Sequence, residues 1–332
     1  MVPLRYLTPF AFLALLPLGG WLGGAWTFMA AAATPLCLAG FDTALGEETG
    51  PRREAVGPIA RWLPRIYIVL QLATTAWAAV LVARPETSLL EATGLAVSTG
   101  ITTGVFGFVT AHEMIHSRDR RDRALGLSLL ATVFYMHFRI AHVYGHHRRA
   151  ATVEDPASSR LGEGLYAFLL RSIAGQFREA WMFETRRRSN RMIAYLAVEA
   201  MFLLIVALLS ARALAFLIAS AFISVFLLES FNYVAHYGLT RRTAATGVLE
   251  PLGPQHSWNS HRRMNNAALF NMGRHSDHHR RATRSYEQLE QIAGAAELPH
   301  GYAGALMLAL VPPLWRRVMD PRSEAATGAA RP

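Results

Sequence analysis

Nine of the thirteen histidines in this sequence fall into four short clusters. Imidazole is a common ligand for iron, copper and zinc, and it binds a metal only when it is neutral. One zinc ion takes about four ligands, so nine histidines indicate two metal ions with open coordination positions. The clusters are His112–His116, His142 with His146 and His147, His236, and His275 with His278 and His279.

The spacing within the clusters is helical. His112 and His116 are four residues apart, which places both rings on one face of a helix. The other two multi-histidine clusters repeat this spacing and present their rings on one side of a helical turn. The string His112-Glu113-Met-Ile-His116 also matches a zinc metalloprotease signature, with Glu113 as a general base. Such a protease needs about three protein ligands, and the three further clusters favour a larger site.

The number of histidines does not decide between iron and copper. Two irons in an imidazole-rich site suit dioxygen activation, in which the metal supplies the difficult chemistry. Two coppers remain an alternative on ligand grounds. Water-soluble di-iron oxygenases use Glu-rich helix bundles, so this would be a different site on a different scaffold.

Composition predicts a membrane protein. Of the 332 residues, 52% are hydrophobic, and the apolar runs are long and nearly free of charge. The net charge of +10 does not indicate nucleic-acid binding, because the arginines cluster beside the apolar runs. The single cysteine, Cys37, excludes a disulfide framework and a built-in iron–sulfur module, so any electron carrier is a separate protein. The apolar N-terminus is interpreted as a retained anchor rather than a cleaved signal peptide.

We predict one all-α domain over residues 1–332, a polytopic membrane protein of about six transmembrane helices with a His-rich helical cap. A short apolar stretch at 125–140 is predicted to be re-entrant or interfacial, and another apolar patch spans 303–314. The six helices are predicted near 7–19, 21–40, 66–82, 89–110, 192–209 and 214–234.

The placement of the arginines predicts how the chain is oriented in the membrane. With the N-terminus in the cytoplasm and one crossing per helix, the Arg-rich loops at 52–65, at 118–191 and after 236 all lie inside. Every histidine cluster then lies on the cytoplasmic side of the inner membrane.

The histidine strings carry a family resemblance. They resemble those of the membrane-bound alkane 1-monooxygenase family, within the fatty-acid desaturase-like membrane di-iron proteins, over about residues 42–321. The strings are His112-Glu-Met-Ile-His116, His142-Val-Tyr-Gly-His146-His147, Asn232-Tyr-Val-Ala-His236-Tyr-Gly and Arg274-His-Ser-Asp-His-His279, with further similarity at 151–160, 256–259 and 310–320.

The resemblance implies terminal hydroxylation of medium-chain alkanes with O2, two non-haem irons, and electrons from rubredoxin and its reductase. Two positions depart from the family pattern, since Ala141 and Ala235 stand where the family commonly has Glu. We expect this branch to differ in substrate or rate. The iron ligands implied by the resemblance are His112, His116, His142, His146, His147, His236, His275, His278 and His279.

Two acidic residues are predicted to act beside the metal ligands. Glu229 shares a helix face with Asn232 and His236, and we expect its carboxylate to accept a ring N–H from a ligand histidine. Asp277, between ligand histidines, is predicted to do the same. Of the remaining histidines, His137 and His256 are predicted to be structural or close to the site, and His261 and His300 to be surface groups.

The substrate and the electron carrier are expected to approach from different surroundings. A hydrophobic substrate should enter through an apolar tunnel among the membrane helices. The Arg runs 118–123, 186–188 and 280–284 are predicted to face solvent or lipid headgroups, or to dock an acidic electron carrier. The candidate tunnel residues are Trp21, Phe28, Phe106, Phe108, Phe134 and Phe138.

Three alternatives stay open. The first is a fatty-acid desaturase or a methyl-aromatic hydroxylase with the same metal chemistry. The second is a zinc membrane protease built on His112 and Glu113. The third is a non-enzymatic metal- or haem-binding membrane protein.

Overall fold

The computed structural model describes residues 4–48, 58–243 and 247–328. Within these ranges the regular secondary structure is helical apart from one two-residue strand pair and two isolated β-bridges, so the predicted all-α fold is confirmed. Arg52 and Arg53 of the predicted Arg-rich loop lie outside the described residues.

Five helices of the described chain are long and apolar enough to cross a membrane. They span Gly24–Leu45, Ile59–Ala83, Leu89–His116, Arg191–Leu209 and Ala211–His236. The first predicted helix, α1 (Thr8–Leu22), has 15 residues, which at 1.5 Å per residue reaches about 22 Å. A hydrocarbon core is about 30 Å thick, so α1 is short for a full span.

The α-helices follow one another in the order of the chain. After α1 they are α2 (Met29–Leu45), α3 (Leu63–Ala83), α4 (Leu89–Thr102), α5 (Phe108–His116), α6 (Arg120–Thr132), α7 (Phe138–Ile140), α8 (His147–Arg149), α9 (Leu165–Arg186), α10 (Arg191–Leu209), α11 (Ala211–His236), α12 (Arg263–Ala268), α13 (His275–Arg280), α14 (Tyr302–Ala309) and α15 (Pro312–Thr327). The two strands, β1 (Trp258–Asn259) and β2 (Ala296–Glu297), pair in parallel.

Helices α4 and α5 form one continuous rod, joined by the π-helical turn Thr103–Gly107. Glycines let this rod lie directly against α11, because a Cβ at Gly104 would stand 2.9 Å from the Cα of Ser224. The rod therefore delivers His112 and His116 to the same end of the bundle at which α11 delivers His236.

Helices α6 and α7 form a re-entrant hairpin. Helix α6 runs back along α5, the chain turns at 133–137, and α7 returns to the second histidine cluster. Membrane-facing backbone must be hydrogen-bonded within the protein. At this turn the backbone N–H of Met136 donates to Glu199 in the middle of α10 at 2.8 Å, and the Tyr135 hydroxyl donates to Glu229 of α11 at 2.9 Å. Two carboxylates inside membrane spans thus hold the tip of the hairpin.

The C-terminal third covers the histidine end of the bundle. Trp315 of α15 is fully buried against the rings of Tyr233 and Tyr237 at the end of α11. The Tyr237 hydroxyl donates to Asp320 at 2.6 Å. These contacts fix the end of α11 and hence the backbone around His236.

Candidate metal centre

All nine clustered histidines meet in one buried place, the nine-histidine centre. They form two groups, and within each group the ligand nitrogens lie within 4.8 Å of one another. The five-histidine group contains His112, His116, His142, His147 and His278. The four-histidine group contains His146, His236, His275 and His279.

The spacing of the nitrogens fits metal coordination. In the five-histidine group, Nε2 of His142 lies 2.7 Å from Nε2 of His112 and 3.0 Å from Nε2 of His147. A neutral imidazole has only one N–H, so several converging Nε2 atoms cannot all be satisfied by hydrogen bonds to one another. Nitrogens that bind one metal at about 2.0–2.1 Å stand about 3 Å apart at right angles, which matches this arrangement.

The ring nitrogens of the four-histidine group are spaced in the same way. Nε2 of His275 lies 3.2 Å from Nε2 of His236 and 3.0 Å from Nε2 of His279. Nε2 of His146 is buried and has no hydrogen-bond partner among the described residues. A buried nitrogen without a hydrogen-bond donor, within a cluster of imidazoles, is suited to coordinate a metal ion.

A π-helical turn explains how three rings of one cluster reach the centre. The turn Ala141–His146 holds one more residue than an α-helical turn. On a regular α-helix, His147 would point well away from His142, whereas the wider turn brings residues five apart onto one face. His142 and His147 therefore share the five-histidine group, while His146 reaches the other.

Burial favours the neutral form of these rings. Burial first, and then the neighbouring imidazoles, lower the pKa of His142, His147, His275 and His279 well below 6.5. Burial also lowers the pKa of His278 to about 3. Neutral imidazole is the form that binds a metal, so the fold prepares these rings as ligands before any ion arrives.

The sequence analysis missed Asp155, which orients one of the rings. Its buried carboxylate lies 2.8 Å from Nδ1 of His146 and accepts the Ser158 hydroxyl at 2.6 Å. Burial alone would raise the pKa of Asp155, but the His146 ring and the Ser158 hydroxyl lower it overall, which keeps the carboxylate ionised. A carboxylate on Nδ1 directs Nε2 towards a metal. The only sequence signal was its place in the family-like segment 151–160.

The contact predicted for Glu229 is wrong. Its carboxylate accepts hydrogen bonds from Tyr135, from Ser172 at 2.6 Å and from Gln176 at 2.8 Å, and none of these is a histidine. Glu229 lies seven residues before His236, about 10 Å along the helix, so the shared face does not bring the two side chains together.

Asp277 also differs from the expectation. Its carboxylate accepts the Arg284 guanidinium at 3.1 Å and the backbone N–H of Glu290 at 2.9 Å. It thereby braces the loop after α13. Glu113 points away from the centre as well, and it accepts the backbone N–H of Tyr286 at 3.1 Å.

The histidines outside the clusters follow the expectations with one exception. His137 and His256 are buried, and the His256 carbonyl lies 3.3 Å from Nδ1 of the ligand His236. His300 is exposed. His261 was expected at the surface, but only 5% of it is exposed, and its Nε2 lies 3.1 Å from the Glu297 carboxylate of β2.

An apolar cavity opens onto the centre. It reaches His112, His142 and His275 from between α2, α4, α11 and α14. Of the predicted tunnel residues, Phe108 and Phe138 line it; Phe106 packs in the core and Trp21 is 80% exposed. A hydrocarbon in this cavity would lie beside ligands of both histidine groups.

A polar pocket reaches the centre from another side, at His116. Its lining includes Arg118 and Arg284, one from each of two predicted Arg runs, together with Arg61. The third run, 186–188, lies at the end of α9 and does not line it. The centre is therefore approached by an apolar cavity and by a polar pocket that four arginines and three carboxylates line.

The two alanines that depart from the family pattern are buried among apolar side chains. Ala141 packs with Ile140, Ala180 and Met192, and Ala235 lies in the main core. Neither position leaves a polar environment for a carboxylate.

Comparison with known proteins agrees with this picture. The fatty acid desaturase family model matches residues 88–308. Alkane 1-monooxygenase of Acinetobacter baylyi is 38% identical, covering 85% of this chain and 73% of the relative. Alkane 1-monooxygenase 1 of Pseudomonas aeruginosa is 40% identical over 78% of this chain and 73% of its own. The hydroxylase component XylM of a Pseudomonas putida xylene/toluene monooxygenase is 27% identical over 90% of this chain and 82% of its own.

Proposed function

Since this chain belongs to the membrane-bound alkane 1-monooxygenase family, we propose that it hydroxylates the terminal carbon of an alkane or a similar hydrophobic molecule, using two irons held in the nine-histidine centre. The observation that carries the proposal is the meeting of two histidine groups at the end of an apolar cavity. A zinc protease would need neither the second group nor the cavity.

The donor set suits two irons. Each group consists of imidazoles alone, five in one and four in the other, and each leaves room for an exogenous ligand on a six-coordinate ion. Irons bound there would supply O2 activation: one oxygen atom enters the C–H bond, and the other leaves as water after two electrons and two protons are taken up. Burial keeps rings such as His142 and His275 neutral, and Asp155 fixes the orientation of the His146 ring.

The cavity supplies the substrate and keeps water away from it. Apart from the three histidines its lining is mostly apolar, and its polar side chains are largely engaged elsewhere. Thr34 bonds the Ala30 carbonyl, and Asn265 bonds Asp42. An alkane has no group that a polar wall could recognise, so shape and apolar area hold it.

Electrons and protons enter from the polar pocket at His116 in this proposal. The exposed arginines beside this pocket, in the run 118–121, favour an acidic electron carrier of the rubredoxin type, served by its reductase, since opposite charges steer association. The chain would lie in the inner membrane with this pocket on the cytoplasmic side, as the Arg-rich loops favour.

Metal analysis and product analysis together test the proposal. We expect about two irons per chain in purified protein, and primary alcohols from cells fed a panel of alkanes, with methyl-aromatics and fatty acids as competitors. Zinc at about one ion per chain would refute the metal assignment. An alkene product would indicate a desaturase, and a benzylic alcohol alone would indicate a xylene-type substrate.

A further inference from the structure

A second apolar pocket, here called the lateral pocket, lies beside the tip of the re-entrant hairpin. It is an open groove lined by residues of the hairpin tip, α9 and α11. Ile218 and Phe222 of α11 stand at its edge and are 50% and 74% exposed on the apolar surface of a membrane span. A molecule dissolved in the bilayer can therefore reach it sideways.

One polar side chain in this lining has no protein partner. His137 is only 7% exposed, and its Nε2 is buried with no hydrogen bond among the described residues. Its ring is flanked by Tyr135 at 4.4 Å and Phe177 at 5.3 Å between centroids. Tyr135 uses its own hydroxyl on Glu229. Leaving a buried imidazole nitrogen unsatisfied is costly, so the site is suited to a ligand with a hydrogen-bonding group.

The lateral pocket shares a wall with the apolar cavity. Tyr135, which lines the pocket, stacks on Phe138, which lines the cavity, with 6.1 Å between ring centroids. Along α11, Val225 lines the pocket and Leu228 lines the cavity, less than one turn apart. The two spaces are thus neighbours separated by about one layer of side chains.

We propose that the lateral pocket binds a long-chain primary alcohol, with its hydroxyl at Nε2 of His137 and its chain along α11. A hydroxyl can donate to or accept from a neutral imidazole, whereas a carboxylate would be an unpaired buried charge, since no cationic side chain lines the pocket. An alkane would leave Nε2 unsatisfied. The identity of this alcohol as the reaction product rests on the proposed function, whereas the site itself does not.

Photolabelling tests the site without turnover. The probe is a long-chain 1-alkanol with a diazirine at its far end, added to the full-length, metal-loaded protein in lipid nanodiscs. We expect crosslinks on α11 around Phe222, competed by unlabelled 1-alkanol better than by the alkane or the carboxylic acid of equal length. His137→Leu should weaken alkanol labelling about tenfold, while His137→Gln should largely restore it and the exposed His300→Leu should leave it unchanged.

A second variant tests the pocket without altering the hairpin tip, where a substitution of His137 could cause misfolding. Ile218→Trp fills the pocket from the half-exposed side of α11 and should remove labelling by alkanol and alkane probes alike. Size-exclusion elution and metal content identify properly folded samples. Unchanged alkanol labelling in both variants, or equal competition by alkanol and alkane, overturns the proposal. Labelling in a protein that hydroxylates no substrate would uphold the site and refute only the proposed function.

Discussion

Replacing Asp155 by Asn should weaken metal binding in the four-histidine group while sparing the other group. Asp155 lies 2.8 Å from Nδ1 of His146 and is almost fully buried. The amide keeps the size and one acceptor oxygen, but it removes the negative charge. Its NH2 replaces either the oxygen that faces His146 and the Ser158 hydroxyl or the oxygen that accepts the Ala157 N–H. The His146 ring would lose its fixed tautomer and part of its basicity.

The expected loss of metal affinity follows from one changed contact, that between residue 155 and Nδ1 of His146. Loss of a carboxylate behind a ligand histidine typically weakens metal affinity 10–100-fold, or about 1.4–2.8 kcal/mol. His146 is one of four ligands in its group and contributes none to the group of five. One ion should therefore leave at chelator concentrations that the other withstands.

Chelator titration with elemental analysis measures this effect. With two ions bound at the start, we expect Asp155→Asn to pass through a plateau at about one ion per chain, at a chelator concentration that leaves the wild type loaded. Glu154→Gln is the matched control, since it removes a carboxylate from the neighbouring exposed position. Equal loss of both ions, or wild-type resistance to the chelator, would refute the role given to Asp155.

Three further predictions concern the hairpin, the cavity and pH. Glu199→Leu should lower the free energy of unfolding by about 1–3 kcal/mol, because the Met136 N–H loses its acceptor, whereas Glu199→Gln keeps one; denaturant titration in detergent would separate the two variants, and equal stability would contradict the account. Ala303→Phe narrows the apolar cavity and should reduce turnover of the longest accepted alkane about tenfold relative to a short one, measured by product chromatography; an unchanged chain-length profile would argue against this cavity as the substrate site. Metal-depleted protein should lose stability as the pH falls below about 6.5, because the unfolded chain then binds protons that buried rings such as His278, with a pKa of about 3, do not; a melting temperature that is flat between pH 8 and 5 would contradict this.

The sequence predicted the structure best where residues that can bind a metal are spaced with the period of a helix. Four-residue spacing correctly paired His112 with His116 and His275 with His279, but not His142 with His146. The structure brings all nine rings together. The apolar runs predicted the helices to within a few residues, since hydropathy over about 20 residues is a strong signal. The exception, α1, is apolar but has only 15 residues, so composition alone did not reveal its shorter reach.

Contacts between distant segments could not be predicted in this way. Glu229 lies on the same helix face as His236, yet its partners Tyr135 and Ser172 come from the hairpin and α9, which packing alone places there. The π-helical turn before His147 is also invisible to a periodicity argument, because it breaks the period on which the argument depends.

The negative charge of Asp155 should favour metal binding beyond the effect of its contact with the His146 ring. Nine neutral imidazoles do not offset the charge of two divalent ions, and a buried charge without compensation is costly. The two carboxylates expected beside the ligands, Glu229 and Asp277, are instead engaged by the hairpin and by Arg284. The ionised Asp155 lies one imidazole away from the four-histidine group, so it lowers the energy of the loaded state there. The five-histidine group has one more neutral ligand in place of such a partner, and this difference predicts unequal metal affinities in the unaltered protein.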